Sequence, residues 1–209
     1  MTVLHWSEQR LELLPERAIW DPAQRLLLLA DLHLGKAECF QAQGIPLPSD
    51  GDRANLQRLL MLCRRLRPLE VLVLGDLIHG RQGLGPELRR QIDQLPEQLG
   101  CQLTLVEGNH DRGSRLATLP ATASQARGAL WLSHGPEAPP PQLLNICGHL
   151  HPVAQLGAGA DRLRLPCFAL DRRRRQLLLP AFGDLTGGHP CPPGLQRWAI
   201  AEGQVLPLD

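Results

Sequence analysis

Five short motifs in this chain carry side chains that can bind divalent metals. They supply carboxylates, imidazoles and one carboxamide, which are donors that first-row transition metals accept. In chain order these side chains are Asp31, His33, Asp76, Asn109, His134, His149 and His151. A lone aspartate or histidine is more often a cap or a satisfied polar group than a ligand. Seven in one series instead predict a site for two metals, which would hydrolyse a phosphate ester by sharing a hydroxide and clamping the non-bridging oxygens.

Each motif directly follows a short apolar run that is typical of a buried strand. These runs are residues 26–30, 71–74, 103–106, 129–132 and 143–147. Because sites in layered α/β sheets form at the carboxyl ends of strands, the five motifs are expected to meet at one rim. Asp76 is the natural bridging carboxylate of such a site, because it stands in a Gly-Asp turn directly after a strand.

Residues beside the predicted ligands could complete a catalytic site. His110 directly follows Asn109, so its side chain is expected to point elsewhere and to reach the substrate. There it could protonate the leaving oxygen or stabilise the pentacoordinate phosphorus. Asp111 either holds that imidazole in the right tautomer or caps the turn, and the sequence favours neither reading. Three further candidates for substrate contact lie near the motifs: Lys36, His79 and Arg112.

Helix and strand patterns alternate around the motifs. One helix is expected to begin near Ser49 and to continue at helical spacing until Pro68. A second is expected from Pro86, with an interruption at Pro96 and an end at Gly100. The C-terminal part predicts short strands at residues 162–170, 176–182, 197–201 and 205–208. This order predicts an α/β layered fold in a single domain that spans residues 1–209.

Composition limits the classes of function. A net charge of +1 over 209 residues does not describe a polycation built for phosphate backbones. Six scattered cysteines form no CxxC pair, and no apolar run approaches the roughly 20 residues of a membrane helix, so reduced thiols in the cytoplasm are expected. The four consecutive arginines at 172–175, here called the arginine run, are either a solvated hairpin turn or a patch that grips phosphodiester backbone.

Taken together, the motifs resemble those of the calcineurin-like metallophosphoesterase superfamily, whose pattern is D-x-H, G-D, G-N-H-D/E, H and G-H-x-H. The resemblance implies a four-layer α/β/β/α sandwich with two divalent metal ions, Mn²⁺ being expected before Fe or Zn. One metal would be held by Asp31, His33, Asp76 and His151. The other would be held by Asp76, Asn109, His134 and His149. His110 occupies the position of the family's catalytic histidine.

A narrower resemblance covers nearly the whole chain. Residues 30–36, 44–48, 108–112, 148–152, 165–168, 179–183 and 186–188 are similar to the bacterial ligase-associated DNA-damage-response endonucleases. This implies DNA as substrate, and an ATP-dependent DNA ligase with associated exonuclease and helicase repair proteins as partners, without a membrane. Two positions depart from the pattern: the fourth motif has only His134 where relatives often carry two histidines, and Asp184 replaces a usually apolar residue. Neither removes a ligand, so both bear on substrate preference.

The favoured prediction is therefore a dinuclear-metal-dependent phosphodiesterase, an endonuclease that hydrolyses DNA in a ligase-associated repair module. One alternative is a small-molecule or cyclic-nucleotide phosphodiesterase of the same superfamily, which fits the near-neutral charge. Another is a non-catalytic scaffold subunit, because some relatives in the superfamily have lost ligands. The filled ligand positions and the presence of His110 argue against a scaffold.

Overall fold

The computed structural model describes residues 2–114, 116, 118–157 and 161–208, which form two β-sheets and three α-helices. The first sheet contains β1 (Thr2–Trp6), β2 (Gln9–Leu14), β3 (Ala18–Asp21), β4 (Leu26–Leu29), β5 (Glu70–Val73), β6 (Gln102–Val106) and β7 (Ala121–Thr122). The second contains β8 (Gln125–Arg127), β9 (Leu130–Leu132), β10 (Leu144–Cys147), β11 (Pro152–Leu156), β12 (Leu163–Asp171), β13 (Gln176–Leu178), β14 (His189–Pro190), β15 (Gln196–Ala201) and β16 (Gln204–Leu208). The helices are α1 (Lys36–Gln41), α2 (Asp50–Leu66) and α3 (Pro86–Leu99), and a 3-10 turn lies at Arg81–Gly83.

The first sheet changes from antiparallel to parallel along its strand order. Strands β1 to β4 form an antiparallel meander, whereas β4, β5, β6 and β7 run parallel. The crossovers between the parallel strands carry the helices, with α1 and α2 between β4 and β5 and α3 between β5 and β6. Since β4, β5 and β6 point the same way, the motifs that follow them leave the sheet at the same rim.

The second sheet brings the other two motifs to this rim. Its central strand β10 is parallel to both β9 and β13. The motif after β9 and the motif after β10 are joined directly, because the Gly148 N–H donates to the His134 carbonyl oxygen at 3.0 Å. The Ser133 N–H likewise donates to the Ile146 carbonyl oxygen at 3.2 Å. The parallel pairing thus extends past the strand ends into the motifs themselves.

Two apolar clusters hold the layers together, and β4 contributes to both. Its leucines alternate between the two faces of the first sheet, as the two-residue period of a strand requires. Leu27 and Leu29 pack with α2 and α3, whereas Leu26 and Leu28 pack against the second sheet. All four are buried, which is typical of a parallel strand covered on both faces. Phe168 of β12 is fully buried in the cluster between the two sheets.

Loop residues pack on part of the outer face of the second sheet. Among the described residues, helices α2 and α3 pack in the cluster with Leu27 and Leu29 of the first sheet and not on this face. Cys191 and Leu195 instead pack there against buried residues of β10, β12 and β13. The segment contains Pro190, Pro192 and Pro193, and proline within a helix removes a hydrogen bond and clashes with the preceding turn. The outer layer is therefore a loop.

The sequence-based elements agree with the structure except in a few places. The first predicted helix is confirmed as α2, and the predicted C-terminal strands are confirmed as β12, β13, β15 and β16. The interruption at Pro96 was wrong, because α3 continues through it to Leu99. Leu95 and Leu99 are buried beside the proline, so packing offsets the hydrogen bond that it cannot make. Elements absent from the prediction are short, among them α1, β7, β8 and β14. None of the described helices is long and apolar enough to cross a membrane.

The arginine run forms the turn between β12 and β13, at the opposite rim from the motifs. The Asn145 N–H near the start of β10 donates to the Arg175 carbonyl oxygen at 2.8 Å, while the Gly148 motif leaves the other end of that strand. Arg174 pairs with Asp171 and Arg172 with Gln196. The run therefore has the geometry of a solvated hairpin turn and cannot contact a phosphate bound at the motif rim.

The packing between the sheets gives a stability prediction. We expect Phe168→Ala to lower the free energy of unfolding by about 3–5 kcal/mol, because it opens a cavity in the shared core. Leu163→Ala on the same strand is the control, and it should change stability by about 0.5 kcal/mol or less because Leu163 is 51 % exposed. Urea unfolding of the three proteins measures both values. Equal losses in the two variants would contradict this account of the core.

Candidate metal centre

The backbone at the rim is strained at most of the predicted ligands. Left-handed φ values occur at five of them: Asp31 (58°), His33 (51°), Asp76 (53°), His149 (65°) and His151 (44°). Each non-glycine residue in this region costs about 1–2 kcal/mol, so such residues persist only where the surrounding structure holds them. Strain of this kind is concentrated at functional sites. It also turns the chain sharply after each strand, so that side chains close in sequence reach one place.

Backbone hydrogen bonds fix the first motif against the second. The Asp31 N–H donates to the Gly75 carbonyl oxygen at 3.0 Å, and the His33 N–H donates to that of Asp76 at 2.9 Å. The two carboxylates then hold the remaining loops. Asp31 Oδ2 accepts the His149 N–H at 2.9 Å, and Asp76 Oδ1 accepts the His110 N–H at 3.0 Å. Each acidic side chain therefore positions a motif distant in sequence.

One group of potential ligands is formed by Asp31, His33 and His151. Their donor atoms all lie within 4.8 Å of one another. His151 Nε2 is 3.2 Å from Asp31 Oδ1, and His33 Nε2 is 3.8 Å from Asp76 Oδ2. Asp31 and His33 are buried, whereas His151 is half-buried. The group therefore has a closed inner side and a more open side at His151.

The second group is formed by Asp76, His134 and His149, again with donor atoms within 4.8 Å. His134 Nε2 lies 3.5 Å from Asp76 Oδ1, 2.9 Å from Asn109 Oδ1 and 3.0 Å from His149 Nδ1. Asp76 therefore directs Oδ2 toward His33 of the first group and Oδ1 toward His134 of the second. A carboxylate in this position can bridge two metal ions.

The donor chemistry of both groups fits divalent metals. His151 Nε2 is buried and faces Asp31 without hydrogen-bond geometry, and it has no other hydrogen-bond partner among the described residues. The facing nitrogens of His134 and His149 could share at most one proton, whereas a metal would satisfy both lone pairs. Burial, helped by neighbouring positive charges, lowers the pKa of His33 to about 2 and also lowers that of His149. Both are thus kept as the neutral imidazoles that bind metals.

His110 lies beside the first group and stacks on His79. Its Nδ1 lies 2.5 Å from the His79 carbonyl oxygen, which can only accept, so Nδ1 carries the proton. The two rings stack with centroids 4.9 Å apart, and the His33 ring centroid is 5.0 Å from that of His110. His79 Nδ1 is 3.3 Å from His33 Nδ1, and burial lowers the pKa of His79 to about 4. Phe40 of α1 stacks on the other side of His79.

The chain is similar to known proteins in sequence and in fold. The family model for calcineurin-like phosphoesterase matches residues 24–167, which contain all five motifs. The chain belongs to this family. It is similar to the nuclease MPE of Pseudomonas putida, with 31 % identity, 99 % of each chain covered and a TM-score of 0.83. It also resembles the phosphoesterase Yfce of E. coli, with 18 % identity, 86 % and 95 % coverage and a TM-score of 0.48. No curated protein sequence matched the chain.

The family membership and the structure confirm the fold class, a calcineurin-like metallophosphoesterase α/β sandwich with two mixed sheets and few helices. They also identify the chain as a metal-dependent phosphoesterase, and hence as a hydrolase. The family binds divalent metals, and the two groups of donors described above are where this phosphoesterase could hold them.

The sequence allowed two roles for Asp111, holding the His110 imidazole or capping the turn. Its contacts have the geometry of a turn cap. Its buried carboxylate accepts the backbone N–H groups of Asp76 at 2.7 Å, Gly108 at 2.9 Å and Ile78 at 3.2 Å. Burial raises its pKa. The group that fixes the His110 tautomer is the carbonyl oxygen of His79. In this phosphoesterase, Asp111 joins the second and third motifs through the backbone.

The weaker candidates differ in their placement. Lys36 begins α1 and is half-buried, which lowers its pKa, and its charge is close enough to lower the pKa values of His33 and His79. Arg112 is exposed, and the described residues give its side chain no partner. Two arginines that were not predicted as site residues, Arg17 and Arg164, line a cavity with His151. Isolated arginines far from the motifs carry no sequence signal for such a position.

Close approach at glycine gives a prediction for the metal centre. An alanine Cβ at position 148 would lie 2.4 Å from Asp31 Oδ2 and 2.4 Å from Ala30 Cβ. We expect Gly148→Ala to displace the Asp31 carboxylate and to weaken Mn²⁺ binding by about tenfold or more, as displaced metal ligands do. Gly135→Ala in the neighbouring motif is the control, because its Cβ would have no atom within 4 Å. Calorimetric titration with Mn²⁺ measures both, and equal affinities would contradict the packing argument.

The capping role of Asp111 gives a second prediction. Asp111→Asn leaves one oxygen and an NH₂ group facing three buried N–H donors. We expect the free energy of unfolding to fall by about 1–3 kcal/mol, the cost of buried donors left without acceptors. Glu107→Gln, an exposed change in the same loop, should leave stability unchanged. Denaturant unfolding with a chelator present separates this effect from metal binding. A fully stable Asp111→Asn protein would argue against the cap.

Proposed function

We propose that this chain is a dinuclear-metal-dependent phosphodiesterase that cuts DNA as an endonuclease. The observation that carries the proposal is the position of Asp76, whose two oxygens face two separate groups of donors at one rim. Two sites bridged by a carboxylate are what in-line hydrolysis of a phosphate ester requires. The similarity to a nuclease over 99 % of the chain supports a nucleic acid substrate.

The proposed ligand sets follow the two groups. The first set is Asp31, His33, Asp76 and His151, and the second is Asp76, Asn109, His134 and His149. Two divalent ions bound there, with Mn²⁺ as our choice, would supply an activated hydroxide and charge neutralisation at the phosphate. The burial of Asp31, His33 and Asp76 fixes the inner ligands in place. The exposed His149 and Asn109 leave the outer side open to a large substrate.

His110 is proposed as the residue that assists the leaving group. Because its Nδ1 donates to the His79 carbonyl oxygen, only Nε2 is available to the substrate. A protonated Nε2 can give its proton to the departing oxygen or donate a hydrogen bond to a non-bridging oxygen. The stack on His79 and the contact with the His33 ring hold the imidazole beside the first ligand set. Lys36 is the second candidate for phosphate contact at this edge.

From the sequence resemblance we propose that the chain is a single domain located in the cytoplasm. Its proposed partners are an ATP-dependent DNA ligase and the exonuclease and helicase of the same DNA repair module. The alternative function is a phosphodiesterase of the same superfamily that acts on small molecules or cyclic nucleotides. The scaffold alternative has less support, because the complete donor groups and His110 converge at one rim.

Nicking of supercoiled plasmid DNA tests the proposed function. We expect the native protein with Mn²⁺ to produce relaxed circles, and His149→Ala to lower the rate by about a hundredfold or more, because it removes a ligand. His5→Ala is the matched control, since His5 is exposed on β1 and outside both donor groups. It should nick at the native rate.

The same proteins should be tested on bis(p-nitrophenyl) phosphate. Intact plasmid from a protein that hydrolyses this diester would transfer the proposal to small-molecule substrates. Equal nicking by native and His149→Ala proteins would place the cutting activity outside this site.

A further inference from the structure

A cavity of about 480 Å³ opens directly beside the proposed metal centre. We call it the His151 cavity, because His151 forms part of its wall. Arg164, Arg17 and Asp184 also line it. The loop at residues 186–189 forms a further part of the lining. The mechanism proposed above uses only the His151 ligand atom, so the rest of the cavity is without a role.

Arg164 is held at this cavity with most of its donors unused. Its Nη2 donates to the Gly188 carbonyl oxygen, and the described residues offer its other N–H groups no acceptor. The same loop supports the ligand, because the Gly187 carbonyl oxygen is 3.2 Å from His151 Nδ1 and the His189 N–H donates to the His151 carbonyl oxygen at 3.0 Å. The guanidinium is thus tied by one hydrogen bond to the loop that holds the ligand.

The residues around Asp184 add an excess of positive charge. Arg17 lies 2.8 Å from Asp184 Oδ1, and Arg58 lies 2.9 Å from Asp184 Oδ2. Both guanidiniums also donate to the Phe182 carbonyl oxygen, and Arg58 stacks over the Phe182 ring. One carboxylate is therefore shared by two arginines. Arg58 lies outside the cavity lining, so its pairing with Asp184 leaves Arg17 and Arg164 as two guanidiniums beside one carboxylate that is already shared. An anion is the ligand that this balance favours.

We propose that the His151 cavity binds the backbone phosphate adjacent to the scissile one, with Arg164 and Arg17 as its donors. The proposal rests on the proposed function, because it places a second phosphate of the same strand beside the metal centre. A planar guanidinium matches the geometry of a phosphate group. A small phosphodiester with one phosphate cannot fill both sites. The cavity would therefore select a polynucleotide over a small diester by an added local contact.

Asp184 gains a role in this arrangement. This aspartate departs from the pattern of the endonucleases that the sequence resembles, where an apolar residue is usual. In the structure that acid offsets half of the charge of Arg17 and Arg58. Removing its charge while keeping an oxygen acceptor should make the cavity more positive. Asp184→Asn is therefore expected to act on DNA in the opposite direction to a loss of Arg164.

The test compares two substrates in full-length variants with Mn²⁺. Arg164→Gln keeps an N–H donor for the Gly188 carbonyl oxygen but removes the charge. We expect the ratio of its plasmid nicking rate to its rate of bis(p-nitrophenyl) phosphate hydrolysis to fall by about tenfold. We also expect the slope of log nicking rate against log salt concentration to become shallower by about one, as for one lost phosphate contact. Asp184→Asn should raise the ratio and steepen the slope. Arg173→Gln, in the arginine run at the far rim, is the matched control and should change neither.

The possible outcomes separate the two proposals. Failure of the native protein to nick DNA would overturn the proposed function and the cavity assignment together. Native nicking with an unchanged ratio and salt slope in Arg164→Gln would overturn the cavity assignment alone. Equal losses on both substrates would show that Arg164 acts by supporting the His151 loop, which also overturns it. A fall in the ratio with a shallower slope, and the opposite change in Asp184→Asn, would support it.

Discussion

Two buried carboxylates hold the rim together, and each has two separate tasks. Asp31 accepts the His149 N–H, and Asp76 accepts the His110 N–H, so that loops far apart in sequence are joined at one place. The same carboxylates face imidazole nitrogens of the proposed metal ligands. A buried charge is costly unless it is paired and hydrogen-bonded. The backbone donors meet part of that need, and the remaining lone pairs are what make the rim suited to cations.

Packing between the sheets makes this arrangement possible. The parallel strands bring five chain segments to one edge, where several ligands adopt left-handed φ values. Close contact also requires glycine. An added Cβ at Gly75 would lie 2.1 Å from His134 Nδ1, and one at Gly108 would lie 2.2 Å from Asp76 Oδ1. The strain at the rim is sustained by the apolar cluster that fixes the two sheets face to face.

The sequence predicted those features that depend on local pattern. Apolar runs followed by Asp, Asn or His predicted the strands and the convergence of seven side chains, because parallel strands share a rim. The local pattern of the sequence could not predict features that depend on tertiary contacts. Pro96 stays within α3 because Leu95 and Leu99 are buried on either side of it. The cap made by Asp111 depends on N–H groups from other segments, and the position of Arg164 depends on the pairing of β11 with β12.

The distribution of arginine indicates how a chain with a net charge of +1 could favour a polyanion, as the proposed endonuclease requires. A nuclease that relies on overall charge attracts any anionic polymer, and salt screens that attraction beyond about 10 Å at 0.1 M. Here the most visible basic segment, the arginine run, lies at the wrong rim to help. In the proposed arrangement the guanidiniums beside His151 would instead contact a phosphate over hydrogen-bond distances, where screening is weak and geometry matters. Because Asp184 offsets part of the positive charge of the cavity, the cavity would bind free phosphate weakly. It would favour a phosphate on a strand that the metal centre already holds in place. Selectivity for a strand would then come from the fixed spacing between two adjacent sites.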